Sequence, residues 1–366
     1  MRKRILPLGL MLLLALTACS GGQGESTPDP STTPWVPGDQ PAIVQPSDSQ
    51  EADYEGPWNP LTGMPISEEW EHRRPVAVML NNLKAALPQQ GQSKADIIYE
   101  CLAEGGITRM LGVYQSVEDV GIIGSVRSSR TYYLELALGH DAIYLHAGGS
   151  EDAYAKIKSW KVDALDCVRG SYEGRKAGSN LFWRDAERKK NMSSEHTVVT
   201  NGEAIQTYLP DSLRRDHQED YTYRQSFVKG GAPAGGEAAS VVSVPFSSYK
   251  TGVFTYEEAS AKYLVQEYGK DYIDGNTGEQ IGVTNVIVLR AACRPTNDSY
   301  GHITVDLTSG GDGWFACGGK LVPIRWSKAD RDSQFVYTTS DGQPLVLGQG
   351  NLYVNIIPTE NEISWE

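Results

Sequence analysis

A short apolar run that ends in a cysteine constrains this chain before any other feature does. Residues 1–4, Met-Arg-Lys-Arg, make a basic start, and residues 5–16 are apolar. That run is too short to span a bilayer as a stable anchor. Leu16-Thr17-Ala18-Cys19 follows, then Ser20-Gly21-Gly22. Small residues ahead of a cysteine at this place read as the cleavage site of a lipoprotein signal peptide, residues 1–18. Cys19 would then become the N-terminus and carry the lipid, and two or more acyl chains hold a protein firmly on a membrane. The expected address is the outer face of the cytoplasmic membrane. The expected partners are the membrane itself, through the lipid on Cys19, and a cell-wall polymer or another envelope protein.

The next stretch, residues 19–57, is rich in Gly, Ser, Thr, Pro, Asp and Gln. Such a composition buries no core and reads as a disordered tether. The formal net charge is −13. Loss of Arg2, Lys3 and Arg4 with the signal peptide takes it to about −16. An acidic surface argues against nucleic acid as a partner. Apart from Cys19, the cysteines are Cys101, Cys167, Cys293 and Cys317. Three connectivities exist for four cysteines, and Cys293 with Cys317 is the favoured pair because both end nearby strand-like runs. No Cys-x-x-Cys or His-x-x-x-His spacing occurs, so no structural zinc is expected. No Walker loop or Gly-x-Ser-x-Gly elbow occurs either, and no cofactor is expected.

From residue 58 to residue 229 apolar runs alternate with helical patterns. Residues 75–80, 96–102, 107–114, 120–126 and 141–146 read as strands. Helices are expected after Ser129 and after Ser150, whose first turn carries Glu151 and Asp152 as the helix dipole favours. The glycine-rich run 230–236 reads as a linker. Short strand-like runs separated by turns fill residues 237–366. The expected fold is an α/β or α+β N-terminal domain with a mixed sheet, plus a smaller, mostly β C-terminal domain.

Several motifs together carry a resemblance. They are Asn59-Pro60-Leu61-Thr62-Gly63, residues 74–82 (Arg-Pro-Val-Ala-Val-Met-Leu-Asn-Asn), Glu104-Gly105-Gly106-Ile107-Thr108-Arg109, Val126-Arg127-Ser128-Ser129-Arg130 and His146-Ala147-Gly148-Gly149-Ser150. In the C-terminal half Thr284-Asn285-Val286-Ile287-Val288 and Ile324-Arg325-Trp326-Ser327-Lys328 extend it. With these the chain resembles the YerB-like lipoproteins of Gram-positive bacteria, domain-of-unknown-function family 3048. The resemblance implies an N-terminal and a C-terminal family domain and no activity. The chain departs from the family where Pro-His-Asn and Pro-His-x-Asp segments would stand, retaining His196 and Asp274 alone.

The sharpest constellation is Arg127-Ser128-Ser129-Arg130. Two guanidiniums, two hydroxyls and the start of a helix are the recipe for holding an anion. Asn81, Asn82 and the His146 to Ser150 segment would lie beside it if their strands are parallel, since ligands sit outside strand carboxyl ends. Arg109 and His196 complete the ligand-binding candidates. Glu104 and His146 are the catalytic candidates. Glu100 and Glu104 stand four residues apart, roughly 13 Å along a straight strand. Paired glycosidase carboxylates stand about 5–9.5 Å apart. Those glutamates are expected to neutralise arginines or line the cleft instead.

Three functional readings follow. The first is a non-enzymatic envelope lipoprotein that binds an anionic wall polymer, muropeptide or lipid-linked precursor in the arginine-lined cleft. The second is an enzyme processing envelope glycan or phosphodiester and pyrophosphate linkages in the same cleft. The third is a scaffold whose arginines form a structural ion-pair network.

Overall fold

The computed structural model describes residues 54–366. The signal peptide 1–18, Cys19 and most of the tether 19–57 lie outside the described residues. Tyr54 is already ordered. Its hydroxyl donates to Pro57 O at 3.0 Å and Ile66 O at 3.2 Å.

The frame is an eleven-stranded mixed sheet. Its order runs Glu237–Ala238, Lys320–Ser327, Gly311–Cys317, Asn285–Ala291, Leu352–Pro358, Ile97–Leu102, Thr108–Tyr114, Val76–Asn81, Ile143–His146 and Ala164–Asp166. Val336–Thr339 pairs beside Lys320–Ser327. Leu352–Pro358 lies parallel to both Ile97–Leu102 and Asn285–Ala291. Strands from both sides of the 230–236 loop therefore share one ladder.

Alternate residues of the central strands feed two cores, as the pleat requires. Val76, Val78, Leu80, Ile98 and Met110 pack on one face, with Val242, Val244, Phe246, Phe254 and Val265 of a second sheet. Ala77, Met79, Tyr99 and Leu111 pack on the other, against Tyr132, Tyr133 and Leu136 of the helix Thr131–Gly139. Burial on both faces explains why 76–81 and 97–102 are buried at every position. The second sheet, built around Val241–Pro245, Thr251–Glu257 and Lys262–Glu267, alternates buried and partly exposed residues because its outer face meets solvent.

Two expectations change. Ile122–Gly124 joins Val198–Asn201 and Trp183–Arg184 in a separate three-stranded sheet rather than the main one. The four cysteines 101, 167, 293 and 317 are free thiols. Cys317 pairs opposite Asn285, while Cys293 lies past the far end of Asn285–Ala291. Eight residues of strand put them roughly 26 Å apart, beyond the reach of a disulfide.

Between the two sheets sits a fully buried ion cluster. Lys250 Nζ meets Glu100 Oε1 at 2.9 Å and also bonds Glu267, with all three side chains excluded from solvent. Glu100 further accepts from Tyr353 OH at 2.6 Å, Thr108 Oγ1 at 2.5 Å and Asn82 Nδ2 at 2.8 Å. Burial pushes the Glu267 carboxyl well above the usual range, Glu100 adds to this, and Lys250 opposes it. Burial lowers Lys250, but the two glutamates outweigh it and raise the ammonium pKa.

Removing the lysine would strand carboxylates in the core. Lys250→Met should cost about 3–5 kcal/mol in urea denaturation of the full chain. Glu267→Gln, which mimics the neutral acid, should cost far less. Because the folded pKa of Glu267 is raised, its contribution is complete below the ordinary carboxylate range and is lost as pH rises through the raised value. Stability measured against pH should show that decline, and Glu267→Gln should flatten it.

Candidate functional site

The strands Val76–Asn81 and Ile143–His146 are parallel, so their carboxyl ends lie side by side. Residues 125–129 thread between those ends. Asn81 N donates to Ser125 O, Arg127 N to Met79 O, Ala147 N to Arg127 O and Ser129 N to Gly148 O. The three polar segments therefore do meet, through this threaded strap rather than through a third parallel strand.

Arg109 enters from Thr108–Tyr114, directly opposite Asn81. It bonds Glu104 and donates to Ser128 O at 3.1 Å. Arg130 holds the same carboxylate, at 2.7 Å from Nη2 and 3.2 Å from Nε, and donates to Ser129 O at 2.7 Å. Both arginines are buried, and Glu104 reaches them from a turn with left-handed Gly105 and Gly106. Burial brings Arg109 down to about 10, and Arg130 beside it pushes the same way against Glu104. Burial would raise Glu104, but Arg109 and Arg130 hold it below the usual range. A carboxylate kept ionised in this way is a poor proton donor at neutral pH.

Arg127 belongs to a second chain of contacts. It pairs with Glu195 at 3.0 Å and donates to Glu195 O at 3.3 Å. Its buried Nε has no partner among the described residues. His196 Nδ1 accepts from Asn81 Nδ2 at 2.8 Å, which places the ring proton on Nε2, 3.7 Å from Glu195. Burial lowers the His196 pKa, against the pull of Glu195.

Other candidates take structural duties. Ser129 is not a helix cap. The helix starts at Thr131 with Arg130 in the cap position, and the Ser129 hydroxyl accepts from Tyr144 OH at 2.9 Å. Ser128 Oγ donates to Ala147 O at 3.1 Å. Ser150 caps the helix Glu151–Trp160 by accepting from Ala153 N at 3.2 Å. Asn82 faces the opposite side of the sheet from Asn81 and joins the lysine cluster. His146 is buried and donates from Nδ1 to Gly148 O at 2.8 Å, with Asp166 at 3.7 Å. Burial lowers its pKa, with Asp166 opposing. Its buried Nε2 has no partner among the described residues.

A groove of about 930 Å³ opens over Ser128, Arg130 and Ser150. Trp160 and Lys156 form part of one wall, and Asp298, Tyr300 and His302 part of the other. Asp298, Tyr300 and His302 were not among the sequence candidates. They lie in the turn that joins the ribbon strands Cys293–Pro295 and Ile303–Val305, which no local pattern places against the helices.

The geometry defines a mixed α/β protein with a shared sheet and a charged cleft at its strand ends. Residues 61–215 match the family model described as "Protein of unknown function (DUF3048) N-terminal domain", and residues 242–354 match that family's C-terminal domain. The chain belongs to this family. It is 29% identical over 306 residues to the Bacillus subtilis (strain 168) protein named "Putative lipoprotein YerB", covering 82% of this chain and 86% of that one. The crystal structure of Bacillus subtilis YerB superposes with a TM-score of 0.69 at 29% identity, covering 84% of this chain and 99% of that chain. Among the described residues no helix is long and apolar enough to cross a membrane.

Two guanidiniums on one carboxylate leave a positive charge over. Glu104→Gln should cost about 2–4 kcal/mol, less than a fully buried pair because Glu104 is partly solvated. Sulfate should restore more of the lost melting temperature than chloride at equal ionic strength, by supplying beside the guanidiniums the negative charge that the amide lacks. Calorimetry of the variant in the two salts checks this.

Proposed function

We propose that the chain is an extracytoplasmic lipoprotein, anchored by lipid on Cys19 to the outer face of a Gram-positive cytoplasmic membrane, that binds an anionic group of an envelope ligand at Arg130. The observation that carries this reading is the sharing of Glu104 by two buried arginines, one of which, Arg130, lines a groove. Arg130 supplies the guanidinium that faces the ligand, and Arg109 supplies the second positive charge behind it. The groove walls also carry Glu135, Glu151, Asp152 and Asp298. Those carboxylates repel a polyanion and favour a ligand that sets one acid beside amines. Among wall polymer, muropeptide and lipid-linked precursor, the muropeptide has that charge pattern.

A second reading has its own observation. Arg127 is already paired with Glu195, and the hydroxyls of Ser128 and Ser129 are committed within the fold. Under it the arginines are a structural network and the chain is a scaffold. Calorimetry of the full chain with a disaccharide-peptide muropeptide, pyrophosphate and a teichoic-type polymer separates the two. Binding predicts a saturating rise in Tm with the muropeptide, lost in Arg130→Ala. The scaffold predicts a lower Tm for Arg130→Ala and no response to any of the three. In cells, Cys19→Ala should move the protein out of the membrane fraction, and retention there would overturn the anchor.

A further inference from the structure

We infer that Tyr300 is a stacking platform for a pyranose ring, so that the groove over Arg130 takes a glycan. Tyr300 is the most exposed of the large apolar side chains among the described residues, at 76%. An aromatic ring held open at the rim of a groove presents a flat apolar face that a ligand can cover.

The loop that carries Tyr300 is built to hold it out. Asp298 accepts from Tyr300 N at 2.9 Å, from His302 N at 3.1 Å and from His302 Nδ1 at 2.6 Å. Thr296 donates to His302 O from its backbone N–H at 2.9 Å and from its hydroxyl at 3.0 Å. Asn297 and Gly301 take left-handed backbone angles to close the turn. The tyrosine ring leans on His302 at 5.6 Å between centroids. A tip fixed by this many bonds has lost its freedom before any ligand arrives, which lowers the ordering cost of binding.

The groove offers what a sugar needs beside a ring. Ser150, Glu151 and Asp152 lie along the wall opposite the tip, with Lys156 one helical turn further on. Carboxylates accept from sugar hydroxyls, and serine and lysine donate to them. Of the other aromatic rings lining the groove, Tyr132 is buried, His302 is held by Asp298, and Trp160 already has Lys156 at 5.4 Å and Arg331 at 5.1 Å over its ring. Tyr300 is therefore the aromatic face open to a sugar. This assignment rests on the anion-binding reading for the rest of the ligand. The glycan stacks at the rim, and the acid it carries reaches Arg130 at the floor.

A neutral oligosaccharide separates the two halves. N-acetylglucosamine tetramer has no anionic group and depends on the platform alone. Titration calorimetry of the full chain should detect it. Tyr300→Ala should weaken binding by about tenfold or more, and Tyr300→Trp should keep it. If the muropeptide binds, Arg130→Ala abolishes that binding, and the tetramer fails while Tyr300→Ala changes nothing, the platform is overturned and the anion site stands. If the tetramer binds wild type and Tyr300→Ala equally, the platform is likewise overturned. If neither ligand binds, both assignments fall.

Discussion

The buried ammonium of Lys250 is the contact on which the stacking of the two sheets depends. It rises from the turn after Val241–Pro245 and ends between Glu100 of the large sheet and Glu267 of the small one. A charge excluded from solvent is tolerable only with its partners in place. A one-residue slip in the pairing register of Ile97–Leu102 or Lys262–Glu267 would turn Glu100 or Glu267 to the other face and leave Lys250 without that partner. The apolar contacts around the cluster supply most of the burial, and the same slip would turn their buried positions outward. With one carboxyl raised by burial, the cluster can approach neutrality with a single proton, and Tyr353, Thr108 and Asn82 satisfy the remaining oxygens.

The arginine cleft and the lysine cluster share the same strand ends. Asn81 and Arg109 are register partners and face the cleft. Asn82 and Thr108, one residue away on each strand, bond Glu100 on the other side. Residue parity alone separates the arginine cluster from the structural lock. Tyr268 of the small sheet closes the arrangement by donating to Asn82 O at 2.6 Å. The cleft is therefore mounted on backbone that the lock immobilises, which suits a site whose groups must stay placed without a ligand.

Much of the frame was legible because it follows from local chemistry. The apolar runs at 76–81, 97–102, 108–114 and 143–146 form strands, Gly105-Gly106 turns, and Ser150 caps a helix. What lay beyond the sequence was long-range pairing. Nothing in residues 352–358 says that they insert between 97–102 and 285–291. Lys250, in Ser-Ser-Tyr-Lys-Thr-Gly, reads as a solvated turn residue and is in fact excluded from water. In the cleft, the arginine motif marked the strap that joins the three polar segments. The partner of Arg109 and Arg130 was within reach of the sequence as Glu104, while Arg127 and His196 needed the fold to bring in Glu195. Tyr300 gave no signal because its meaning lies in the helices it faces.

The two charged clusters differ in charge balance and in access to water, and those differences separate their roles. The lysine cluster pairs two carboxyls with one cation and admits no solvent. Any ligand would have to displace core packing to reach it. The arginine pair reverses the ratio, two cations to one carboxylate, and Glu104 keeps partial contact with water. A surplus guanidinium with little water of its own gains when a second anion supplies charge-assisted hydrogen bonds. The carboxylates of the groove walls then act at longer range. They leave the gain to a ligand with few negative charges and raise the cost of one with many.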